Sequence, residues 1–145
     1  MISENLKKVE EKIAETCAKC GRDSSKIKLI AVSKTQPVEV IKTALKAGLK
    51  ELGENKAQEL RDKSCLITGD FYWHFIGHLQ TNKVKYVIDA AEYIHALDSL
   101  KLAEEINRKA EQIGRFLERA RAPRADVATS VIPPLLAVEG DRVAY

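Results

Sequence analysis

The chain has 145 residues, 31% of them charged, and a formal net charge of +3. That is enough for one domain with a real core, and too little for a complete (β/α)8 barrel of about 250 residues. Lys and Glu are interspersed, as in KKVEEKIAE, so nothing singles out a nucleic-acid or anionic membrane surface. Three cysteines, an odd number, argue against a disulfide scaffold and for a reducing compartment. The polar start MISENLKKVEE lacks a signal-peptide core, and no apolar run approaches the roughly 20 residues that span a bilayer. A cytoplasmic protein with no membrane segment is expected.

In chain order, residues 3–20 place Leu6, Val9, Ile13, Cys17 and Cys20 at helical spacings, with Gly21 as the stop. IKLIAVSK (27–34) is a short apolar run rich in β-formers and reads as a buried strand. Pro37 then stands at a first helical position, and Val38, Ile41 and Leu45 carry a stripe to Gly48. The rhythm repeats. LKELG (49–53) reads as a strand before a helix over 55–63, and FYWHFIG (71–77) as a strand before a helical stretch over 78–87. YIHAL (93–97) is a fourth strand, and Ser99 caps a helix that ends at Gly114.

Strands alternating with helices predict βαβ units and a parallel sheet, whose functional residues gather at the C-terminal strand ends. Lys34, Gly53-Glu54-Asn55, Ile76-Gly77-His78 and Leu97-Asp98 fall there. A lysine ending an apolar strand could be a solvated terminus, or a poorly hydrated amine suited to attack on an aldehyde. Asn55 is either a ligand contact or a helix N-cap. His74 and His78, on a strand and the turn after it, do not share a face and make a poor metal pair. Cys17 and Cys20 lie on a helix with no second pair, so a metal or redox site is not supported. Neither a Gly-rich phosphate loop nor a Ser-centred nucleophile elbow occurs.

Four segments in order, IKLIAVSKTQP (27–37), GENKAQEL (53–60), WHFIGHLQTNK (73–83) and IHALDS (94–99), resemble the pyridoxal phosphate homeostasis protein family. These are single-domain relatives of the alanine racemase N-terminal barrel. The resemblance covers about residues 1–115 and implies an α/β fold: the first half of a (β/α)8 TIM-type barrel that binds pyridoxal 5'-phosphate. It implies that Lys34 holds the cofactor as a Schiff base, and that Asn55, His74, Ile76 and Gly77 wall the pocket. Its implied role is buffering or delivery of the cofactor, with PLP-dependent apo-enzymes as partners and a monomer as the intact family's working state. Catalysis is not implied. A racemase-like enzyme is the alternative, and would need an acid/base such as Tyr72, Tyr86 or Tyr93 opposite the lysine.

Residues 116–145 break the pattern. All sixteen lysines lie in 1–115, and the remainder contains none. This segment reads as a divergent tail, frameshifted or disordered, or as a short terminal helix and loop. It lacks both the expected next strand and the Ser- and Gly-rich segment that grips the cofactor phosphate in the family. A barrel stopped here is expected to leave two open edges, and an inactive truncated product is the third reading.

Overall fold

The computed structural model describes residues 1–114 and the short strand Arg142–Ala144. Helix α1 (Ile2–Cys20) closes at Gly21, whose left-handed φ of 69° lets the next amide turn back so that Arg22 N–H donates to Cys17 O. A 3-10 turn (Ser24–Lys26) leads into β1 (Lys28–Val32), followed by α2 (Val38–Lys46), β2 (Glu51–Glu54) and α3 (Ala57–Leu66). Then come β3 (Tyr72–Phe75), a second 3-10 turn (Thr81–Lys83), α4 (Val84–Val87), β4 (Ala91–Ile94) and α5 (Leu100–Gln112). The Ser99 hydroxyl accepts the Leu102 amide at 3.2 Å, the cap expected there.

Boundaries differ from the sequence reading in physically sensible ways. Pro37 is the N-cap of α2, one place before the first helical residue. The fourth strand is 91–94 rather than 93–97: Ala91 and Ile94 are buried, and the His95 N–H makes a last ladder bond to Phe75 O at 3.0 Å. The stretch expected as one helix over 78–87 is a 3-10 turn followed by the single turn α4.

All strand pairings are parallel, and the order is β4-β3-β2-β1-β5, with β5 (Arg142–Ala144) beside β1. From β1 to β4 each strand neighbours the next in sequence. That single direction of winding is barrel-like and lacks the reversal that defines a doubly wound sheet. The short strand Arg142–Ala144 pairs with β1 along its edge. Otherwise the readings made for 116–145 lie outside the described residues.

The four strands β1–β4 bury one face under helices. Leu52, Trp73, Phe75 and Ile94 project outward into one cluster with Ile41, Leu60, Val84, Val87, Leu102, Ile106 and Ala110. Phe75, Leu60, Val84, Val87 and Ile106 are completely inaccessible. At about 1.5–3 kcal/mol for each large apolar side chain removed from water, this layer holds the sheet in place. The other face carries Lys28, Ile30, Glu51, Gly53, His74, Ile76 and Tyr93, and it positions the site. Among the described residues no helix is long and apolar enough to cross a membrane.

Candidate functional site

The inner face is organised in diagonal rows. In one row Lys28 Nζ lies 3.4 Å from Glu51 Oε1, Glu51 Oε2 lies 2.6 Å from His74 Nε2, and His74 Nδ1 lies 2.9 Å from His95 Nε2. Each link crosses to the next strand. His74 pairs with Gly53 in the ladder but touches Glu51, and it pairs with Tyr93 but reaches His95. Side chains thus meet two places out of register, the stagger that a tilted, closing sheet imposes.

A second row lies nearer the C-terminal rim. A Cβ on Gly53 would meet Ile30 Cγ2 at 3.1 Å and Ile76 Cδ1 at 3.2 Å, so these two side chains close over the glycine and make an apolar bed. Above it the chain leaves β1 at Ser33 and turns through Lys34 and Thr35. Lys34 is exposed at that rim. Gly77 packs so tightly on the turn after β2 that any Cβ there would run into the carbonyl of Asn55.

Sequence reasoning offered two roles for Asn55, and the structure removes one. Lys56, not Asn55, is the N-cap of α3. The Asn55 side-chain oxygen is buried and has no hydrogen-bond partner among the described residues. A buried acceptor in that state carries a desolvation cost that a ligand donor would relieve.

His74 is placed deeper than expected. It is fully buried, both ring nitrogens are engaged, and the Tyr93 ring stacks on it at 4.6 Å. The His74 Nε2–H donates to the Glu51 carboxylate, and Nδ1 shares a hydrogen bond with His95 Nε2. Burial pushes the Glu51 carboxyl up, but the His74 hydrogen bond and the charges of His74 and Lys28 outweigh it and hold the group below its ordinary range. Lys28 shows the converse balance: burial pushes it down, while Glu51 and the Tyr93 hydroxyl carry it above its usual value. His78, in contrast, is exposed and pairs with Asp98 at 3.3 Å.

Of the five residues the sequence nominated, Lys34, Asn55, Ile76 and Gly77 gather at one end of the inner face, and His74 supports it from below. Lys28, Glu51 and His95 were missed, and Tyr93 was named only as an acid/base of the racemase alternative. Their signal was available: charged or histidine residues at alternate positions of otherwise apolar strands, which a partly buried face must pair.

The shared features identify relatives at once. The chain is 46% identical over 108 residues to the pyridoxal phosphate homeostasis protein of Aquifex aeolicus, an alignment spanning 74% of this chain and 47% of that protein. It is 40% identical over 111 residues to the Escherichia coli K12 protein of the same name, over 73% of this chain and 47% of that protein. Over about three-quarters of its length this chain is similar to the pyridoxal phosphate homeostasis proteins. It spans about half the length of the curated relatives it matches. No family model matches it. Among solved structures it resembles PipY of Synechococcus elongatus, with and without PLP, at a TM-score of 0.66 and 33% identity. The PLP-bound form is covered over 79% of this chain and 50% of its own. A Bifidobacterium adolescentis protein of unknown function aligns with a TM-score of 0.69 at 29% identity, over 78% of this chain and 51% of that one. PLP is bound to PipY itself in one of the two structures.

Proposed function

We propose that this chain binds pyridoxal 5'-phosphate at the C-terminal rim of its sheet through Lys34, and that binding serves supply of the cofactor rather than turnover. Pyridoxal phosphate brings an aldehyde that condenses with a neutral primary amine, its C=O bond giving way to C=N as water is released. Lys34 supplies that amine, from an exposed turn at the end of β1. Ile30, Gly53 and Ile76 offer a flat apolar bed for an aromatic ring. Asn55 offers a buried acceptor in want of a donor, and Gly77 keeps the two strand-end turns close enough to hold it there. His74 acts from below, by orienting His95 through their 2.9 Å contact. These residues fit the ring and the aldehyde. The phosphate has no assigned partner among them.

The orphaned Asn55 oxygen beside the Lys34 rim carries the reading. An exposed rim also suits release of the ligand to PLP-dependent apo-enzymes. The racemase alternative is less favoured among the described residues: Tyr93 is held against His74 and Lys28, Tyr86 lies against Arg61 and Lys85, and the Tyr72 ring faces Lys28. An absorbance titration with pyridoxal phosphate tests the proposal. A saturable spectral change in the native chain that is missing in Lys34→Ala supports it, and equal changes in both chains refute it.

A further inference from the structure

Lys63 is a lysine that an amphipathic reading of α3 would leave in water, yet it is only 7% exposed. Its Nζ donates three hydrogen bonds, each of 2.7 Å, to the Ser33 carbonyl, to Glu54 Oε1 and to Glu59 Oε1. The two carboxylates reach onward. Glu54 Oε1 accepts the Ser33 hydroxyl at 2.6 Å, and Glu59 Oε1 accepts the Thr35 backbone N–H at 2.6 Å. Glu54 is fully buried and Ser33 nearly so. Hydrogen bonding to Lys63 holds the Glu59 carboxyl below its ordinary range, with the Thr35 amide adding to the effect.

The pattern has one geometric consequence. The Ser33 carbonyl belongs to the peptide plane before Lys34, and the Thr35 N–H to the plane after it. Rotation about the Lys34 N–Cα bond moves the first plane, and rotation about its Cα–C bond moves the second. Tying both planes to a single ammonium hub fixes both torsions of Lys34, and so the direction in which its Cβ leaves the chain. Thr35 itself sits at φ 62°, an uncommon conformation for a residue other than glycine, and the Glu59 bond holds it there. The arrangement leaves the Lys34 side chain free while its root is rigid.

We propose that Lys63 and Glu59 are positioning residues that aim Lys34 at its ligand by clamping the peptide groups on either side of it. The inference rests on the proposal that Lys34 is the reacting amine. It assigns a function to a charge cluster that would otherwise be an expensive way to attach α3 to the sheet, since an apolar contact would serve that purpose with less desolvation.

Glu59 gives the cleaner test, because its side chain is 23% exposed and its loss leaves the buried Lys63–Glu54 pair intact. Glu59→Ala removes the Thr35 tether, whereas Glu59→Gln keeps an acceptor oxygen for it. The full chain and both variants are incubated with limiting pyridoxal phosphate, reduced with borohydride and mapped for label at Lys34 against the other lysines. Amide hydrogen exchange at Thr35 is measured in parallel without ligand. The expected result is slower Lys34 labelling in Glu59→Ala by about tenfold, restoration in Glu59→Gln, and faster Thr35 exchange only in the Ala variant. Labelling of Lys34 in Glu59→Ala at the native rate, with Thr35 exchange accelerated, would overturn the positioning role. If the native chain shows no preference for Lys34, the binding proposal itself fails. Thr35 exchange then still decides the clamp: acceleration in Glu59→Ala alone supports it, and unchanged exchange removes it.

Discussion

The same four strands present two faces of opposite character. Outward, Leu52, Trp73, Phe75 and Ile94 meet helix side chains in a dry layer where each residue is replaceable only by something of its own size. Inward, residues one place along carry charge, imidazole and hydroxyl groups in diagonal rows, ending at a rim where Lys34 is exposed. The contrast separates stability from function. Substitutions on the outer face are expected to cost folding, those on the inner face to cost both, and that of the exposed rim residue Lys34 to cost binding alone.

The largest expected effect lies outside. Phe75→Ala removes a fully buried ring and should lower unfolding free energy by about 3–5 kcal/mol in denaturant titration. A loss well under that would mean that the helix layer does not hold the sheet. Gly77→Ala comes next, at about 1–3 kcal/mol, because its Cβ meets backbone that cannot yield like a side chain. Since the site turn must shift, this variant should also weaken pyridoxal phosphate binding, and a variant with native stability and native binding would contradict the close approach to Asn55.

Glu51→Gln should cost about 1–3 kcal/mol by loosening His74 and leaving Lys28 without its partner charge. It also carries a pH signature. The folded carboxyl is held below its unfolded range, so its contribution is present above that range and disappears as pH falls through the lowered folded value. Thermal melts of Glu51→Gln should therefore lose less stability than the native chain between neutral and acidic pH. Parallel acid profiles for the two chains would remove the polar row from the account. Lys34→Ala should have the smallest effect on stability, within about 0.5 kcal/mol, since its side chain is exposed.

Much of this division was legible in the sequence. Apolar runs bounded by Gly, Pro and Ser locate the strands and helices, and the parallel-sheet rule sends attention to Lys34, Asn55, Ile76 and Gly77. The deeper row was legible only in part: Lys28, Glu51 and His95 stand out as polar positions in apolar strands, but alternation alone does not say which face closes on itself. Lys63 was invisible for a related reason: in a polar helix sequence a lysine reads as solvated, and only the fold brings Ser33 and Glu54 around it. Asn55 was read as a possible cap because local sequence cannot tell whether its oxygen turns to its own helix or away from it. The strand Arg142–Ala144 escaped because its partner β1 lies more than a hundred residues earlier.

The central claim is that a rigidly rooted, exposed Lys34 is the aldehyde-reactive amine of this chain. Intact-mass analysis after incubation with pyridoxal phosphate and borohydride reduction tests it most directly, beside a Lys34→Ala control. The account predicts one added pyridoxyl group in the native chain and none in the control. No adduct, or scattered labelling equal in both, would contradict it.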